Sequence, residues 1–158
     1  MVGGQLVSPI KSARNLGVLL DAELTMDVQA SAVVKGCFYQ LRQLRSVRRP
    51  LTVDARCAVV TAFVADRLDY CNAVLYGAAI TTIQRLQTVI NAAARLVGGL
   101  GKYDHVTPVL RDTLHCRLPI QQRIEFKVAV LAFDCVRGTV PALCSSAAFS
   151  PQLKLMEE

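Results

Sequence analysis

The sequence predicts a mainly α-helical protein: a short N-terminal β-hairpin followed by a five-helix, bundle-like array. Three observations carry this expectation. From Asp27 onward apolar residues recur at the 3.6-residue period of a helix. Pro50, Gly77, Gly98-Gly99, Pro108 and Pro119 cut that region into helix-length pieces. Strand-like patterning is confined to the residues before Asp21. At 158 residues and 53% hydrophobic content, the chain has the length of one domain, or of a domain with a small appendage, and enough apolar side chains to pack it.

Gln5 to Ile10 and Arg14 to Leu20 are the strand candidates, with Ser8-Pro9 and Lys11-Ser12 as punctuation between them. Gly17, inside the second run, predicts a bulge or a close backbone approach. A hairpin alone is marginal in water, so this one must lean on the helices or on another sheet. The first helix then places Ala30, Val33, Cys37, Leu41 and Leu44 on one apolar face, and Pro50 ends it. Thr52 is a good N-cap for a second helix, with Asp54 in its first turn. That helix is expected to run to about Asp69 and to bury Ala55, Ala58, Val59, Ala62 and Phe63. A polar corner at Tyr70-Cys71-Asn72 follows, and Gly77 stops any continuation.

A third helix from Thr81 or Thr82 buries Ile83, Leu86, Ile90, Ala94 and Val97, and Gly98-Gly99 terminates it. Thr107-Pro108 opens a short helix to about Thr113. Leu118-Pro119 opens the last long one. There Ile120, Ile124, Val128, Leu131 and Cys135 form one face while Phe126, Val130 and Phe133 crowd a second. A helix apolar on so much of its circumference is central, or covers something outside this chain. The expected divisions are a hairpin over 1–22, a helical domain over 23–103, a further helical segment over 104–141, and a flexible tail over 142–158.

Composition narrows the function classes. No run of 18 apolar residues exists, so neither a membrane span nor a membrane partner is expected. The N-terminus shows no basic-then-apolar secretory pattern. Six scattered cysteines, none in a C-x-x-C pair, read as reduced and mostly buried, in an intracellular (cytoplasmic or nuclear) protein. The formal charge of +6 is uneven: Lys35, Arg42, Arg45, Arg48, Arg49 and Arg56 face a single acid, Asp54, over that stretch. Arg42, Arg45 and Arg49 share one helical face. Guanidinium forks suit phosphate oxygens, so these six residues are the candidate nucleic-acid contacts, following a backbone without reading bases. A solvated helix shoulder is the plainer explanation of the same run.

Catalytic chemistry finds less support. Asp66 and Asp69 share a helical face, but two-metal chemistry needs carboxylates converging from separate elements, and Arg67 stands between these two. Capping and ion pairing at a helix end is the expected role. His105, His115 and Cys116 lack zinc-site spacing and a fourth ligand. No nucleophile elbow, P-loop or dinucleotide fingerprint occurs. No catalytic residue, metal, cofactor or small-molecule substrate is therefore expected. At the corner, Asp69, Tyr70 and Asn72 are expected to tie the second helix to the third, with Gln87 and Asn91 as partners across the interface.

Six ordered blocks carry a resemblance. They are Arg14-Asn15-Leu16-Gly17-Val18-(x2)-Asp21; Arg67-Leu68-Asp69-Tyr70-Cys71-Asn72; Leu75-Tyr76-Gly77; Leu86-Gln87-(x3)-Asn91-Ala92-Ala93-Ala94-Arg95; His105-Val106-Thr107-Pro108-Val109-Leu110; and Leu118-Pro119-Ile120-(x2)-Arg123-Ile124-(x)-Phe126-Lys127. Their order and spacing resemble the reverse transcriptases of non-LTR (LINE-type) retrotransposons, over residues 3 to about 141. The resemblance is to the region after the polymerase palm. It implies an end-of-palm, primer-grip strand pair over 3–21, a thumb that straddles template–primer duplex over 27–100, and a helical connection over 104–141.

The family's Asp-Asp catalytic motif, its fingers, most of its palm and its endonuclease are not in this sequence. Leu114-His115-Cys116-Arg117-Leu118-Pro119 departs from the family's Leu-His-Trp-Leu-Pro, and from Cys144 onward the pattern is lost. The resemblance thus implies a non-catalytic reverse-transcriptase fragment that binds RNA–DNA or DNA duplex through phosphates. The alternatives are a helical protein-interaction module, packing on the remainder of a reverse transcriptase or on itself, and a translated element relic without a selected function.

Overall fold

The computed structural model describes residues 10–114 and 118–138. It is mainly helical, with a two-stranded antiparallel hairpin followed by five helices. Strand β1 (Ser12–Asn15) pairs with β2 (Val18–Asp21) in the register Asn15 to Val18 and Ser12 to Asp21. The single run Arg14 to Leu20 is thus folded back on itself and is not one strand. Leu16 and Gly17 form its two-residue turn at φ 47° and 85°, and a turn with both central residues at positive φ matches the twist of the flanking strands. Gly17 supplies a turn, and neither the bulge nor the close backbone approach expected of it is needed to explain it. Most of the other proposed strand, Gln5 to Ile10, lies outside the described residues.

Helix α1 (Asp27–Val47) buries Ala30, Cys37 and Leu41, with Val33 and Leu44 packed partly behind them, so the expected face is the observed one. Its entrance is held by Asp21, whose carboxylate accepts from the backbone N–H groups of Thr25 and Met26 and from the Thr25 hydroxyl. The Thr25 hydrogen bond leads in holding that carboxyl below its ordinary range. Buried Gln29 accepts from Leu19 N–H at 2.9 Å and fastens the hairpin to α1.

Helix α2 runs without a break from Val53–Val60 through a π-helical stretch, Thr61–Ala65, to Asp66–Asp69. Thr52 caps it, accepting from Ala55 N–H at 3.3 Å. Its buried face is Val60, Val64, Ala65 and Leu68, whereas Ala58, Ala62 and Phe63 are exposed. The expected face was therefore wrong. Apolar residues surround this helix on every side, so periodicity cannot select a face, and the wider π turn rotates the helix partway along.

After a 3₁₀ turn, Asn72–Leu75, comes α3 (Ile80–Gly98), the most deeply buried element. All five expected positions are in the core, joined by Val89 and Ala93. Gly99 ends α3 at φ 66°, its N–H returning to the Arg95 carbonyl. Gly98 is crowded, because a Cβ there would stand 2.8 Å from the Val109 side chain. That side chain belongs to α4, a short π-helical segment (Val109–Thr113). Helix α5 (Ile120–Arg137) buries only Ile120 and Ile124, and Gly138 terminates it in the left-handed conformation. One apolar cluster links Val18 of the hairpin, α1, α2 and α3 with Leu114, Ile120 and Ile124.

Candidate nucleic-acid interface

The candidate interface follows from how α1 and α3 lie against each other. Asp27 accepts from the Thr82 hydroxyl, and one turn further along Arg85 Nη2 donates to Ser31 Oγ at 2.8 Å. Beyond these, Arg42 and Arg45 line the same groove as Ala92 and Arg95. Partners advance in the same direction on both helices, so α1 and α3 are parallel and form one seam. On α1 the seam positions are Ser31, Lys35, Phe38, Arg42 and Arg45, spaced by three or four residues. On α3 they are Arg85, Thr88, Ala92 and Arg95. Lys35 to Arg45 spans about 15 Å at the rise of an α-helix.

The seam ends in a groove of about 240 Å³ where both helices stop. Arg42, Arg45, Arg48 and Arg95 line its sides over a floor that includes Phe38, Leu41 and Leu96, and no carboxylate lines it. Arg49, the first residue beyond Arg48, is exposed. None of these guanidinium groups pairs with a carboxylate among the described residues. Arg95 Nε is buried and has no hydrogen-bond partner among them.

The structure therefore brings Lys35, Arg42, Arg45 and Arg48 into one seam with Arg49 at its end. Arg56 is committed elsewhere: its Nη1 donates to the Val97 carbonyl at 2.8 Å and closes the C-terminal turn of α3. Arg85 and Arg95 belong to the seam and were missed as candidates. They lie on a separate helix, far along the sequence from Arg49, and only the parallel packing of α3 beside α1 adds them to the cluster. Their spacing from Ala92 on one helical face was the available signal.

The polar corner is built differently from the expectation. Asp69 pairs with Arg123 of α5 at 2.6 Å, and Lys127 of α5 donates to the Asp69 carbonyl at 3.1 Å. Asn72 Nδ2 donates to the Asp69 carboxylate at 3.2 Å. Burial pushes the Asp69 carboxyl up from its ordinary range, against the pull of Arg123 and then Lys127. Tyr70 Oη donates to the Leu16 carbonyl at 2.6 Å, reaching the hairpin turn and not α3. Gln87 donates to Asn91 within α3, and its Oε1 accepts from Ile120 N–H at 3.0 Å, capping the start of α5. The corner thus ties α2 to α5 and to the hairpin, while Gln87 ties α3 to α5. The long α5 side chains reach Asp69 first, because α5 lies across the corner.

A local consequence follows from the tyrosine. Tyr70→Phe should lower stability by about 0.5–1 kcal/mol, the net worth of one hydrogen bond at an exposed site. It should also raise hydrogen exchange at the hairpin amides, read by NMR, with no change at α3 amides.

Asp66 is exposed and does not converge with Asp69 on any third carboxylate among the described residues. Among those residues no group of three His, Cys, Asp or Glu side chains is placed to hold a metal. His115 and Cys116 lie outside them. Cys37 is buried, and Cys57, Cys71 and Cys135 are partly so; all four are free thiols. No helix among the described residues is long and apolar enough to cross a membrane. No family model, curated protein or solved structure matches the chain.

Proposed function

We propose that this chain is a non-catalytic, duplex-binding helical module, of the kind implied by its resemblance to the thumb and connection of LINE-type reverse transcriptases. The observation that carries the reading is the cationic seam: Lys35, Arg42, Arg45 and Arg49 from one helix and Arg85 and Arg95 from its parallel neighbour, without carboxylate partners among the described residues. Successive phosphates on one strand of duplex advance about 3.4 Å along its axis, and a straight row of cations on two rigid helices can meet several of them at once. Such contacts hold the backbone and carry no sequence information. The six residues of the row supply charge and position.

The test is a mobility-shift titration against an RNA–DNA hybrid over a range of salt concentrations. Binding should be insensitive to hybrid sequence and should fall steeply with salt, because each neutralised phosphate releases condensed counterions. No shift at low salt would sink the proposal.

A second reading rests on α5. Phe126, Val130, Phe133 and Val136 are 64%, 40%, 54% and 68% exposed and lie along one side of the helix. Apolar surface of this kind favours packing on a protein partner, the remainder of a reverse transcriptase or a second copy of this chain. Self-association that rises with concentration in sedimentation velocity, and that disappears in Phe126→Ser/Phe133→Ser, is the outcome expected if the partner is a second copy.

A further inference from the structure

We propose that the groove at the end of the α1–α3 seam is a receptor for a phosphate monoester: the phosphorylated end of a nucleic-acid strand whose internal phosphodiesters run back along the seam. This rests on the duplex-binding reading and adds a specific end-recognition site to it.

The first observation is charge. Arg42, Arg45, Arg48 and Arg95 surround one groove that no acid lines. Both α1 and α3 end beside it, and their terminal carbonyls supply only about half a negative charge each. Most of the positive charge is therefore left over. An internal phosphodiester carries one negative charge. A monoester carries about −1.5 to −2 at neutral pH and offers three strong acceptor oxygens, which suits convergent guanidinium forks better.

The second observation is the Arg95 Nε–H, buried at the groove and without a partner among the described residues. Buried donors are nearly always satisfied, and a turn of the Arg95 side chain would bring this one, shielded from solvent where it stands, to an acceptor in the groove. The floor adds shape to the charge. Phe38, Leu41 and Leu96 present an apolar surface beneath the arginines, where the sugar of a terminal nucleotide can rest. Finally, Lys35 and Arg85 continue the cationic row away from the groove. A free phosphate or a phosphorylated peptide would leave that row unused, whereas a strand that ends in the groove occupies both.

The experiment uses the full chain and one RNA–DNA hybrid prepared in three forms, with a 5′-phosphate, with a 3′-phosphate, and with hydroxyls at both ends. Affinities are read by fluorescence anisotropy at neutral pH. One phosphorylated form should bind roughly tenfold tighter than the hydroxyl form, the effect of one additional charge-assisted hydrogen bond. That ratio should shrink as the pH falls below about 6, where the monoester takes up its second proton. In Arg95→Gln it should fall to about one. Arg45→Gln, at an exposed position, should do the same and decides the matter if Arg95→Gln proves unstable in a thermal melt.

Equal affinity for all three forms overturns the end-recognition site and leaves duplex binding standing. Failure of all three to bind at low salt removes the duplex reading and this site with it. A phosphoserine peptide that binds as tightly as the phosphorylated hybrid overturns the assignment to nucleic acid.

Discussion

Replacing Arg42, Arg45 and Arg49 together with glutamine should lower duplex affinity on the order of a hundredfold at about 0.1 M salt and flatten its salt dependence. Each phosphate contact contributes about 0.9 to the slope of log affinity against log salt, so losing three should reduce that slope by about 2.7. The three side chains are exposed, so the fold should survive the change: surface substitutions of this kind usually stay within about 0.5 kcal/mol. A mobility-shift series with a parallel thermal melt separates the effects. An unchanged slope in a folded triple variant would return this face to an ordinary solvated shoulder. Arg56→Gln is the informative contrast. Arg56 serves the C-terminal turn of α3, so its loss should lower the melting temperature and leave the slope nearly unchanged.

Leu86→Ala should lower stability by about 2–5 kcal/mol, through lost apolar burial and the cavity left behind. Leu86 is 2% exposed at the middle of α3, the helix that packs against α1, α2, α4 and α5. Domains of this size are stable by only about 5–15 kcal/mol, so the variant loses a large part of its margin. Denaturant midpoints measured beside Phe126→Ala provide the scale. Phe126 is 64% exposed on α5, and its removal should change the midpoint little. Equal losses in the two variants would mean that α3 is not the centre of the core.

The two predictions draw on features that were unequally legible in the sequence. The α1 and α3 faces could be read directly, because each alternates apolar and polar residues at a clean helical period. The α2 face could not. Val53 to Ala65 is apolar on all sides, and the choice of Val60, Val64 and Leu68 over Ala62 and Phe63 was made by the neighbours and by the π turn. At the hairpin, Gly17 was visible as an irregularity, but its role as a turn depended on Leu16 also adopting positive φ, which a leucine does not announce.

The corner shows the same division. Asp69, Tyr70, Asn72 and Gln87 were recognisable as polar residues with structural work to do. The partners of Asp69, Tyr70 and Gln87 (Arg123, Leu16 and Ile120) lie 33 to 54 residues away in sequence. No local rule connects such positions.

By itself, then, the sequence determined the helical class, the presence of an N-terminal hairpin though not its strands, the helix boundaries and one arginine-bearing face, because period, capping and chain breakers act within a few residues. Only the tertiary structure decided that α3 runs parallel to α1, that Arg85 and Arg95 join the seam, and that Arg56 leaves it. The physical reason is range. Periodicity orients a side chain about its own helix axis, whereas a binding surface depends on which helices meet and in which direction they run.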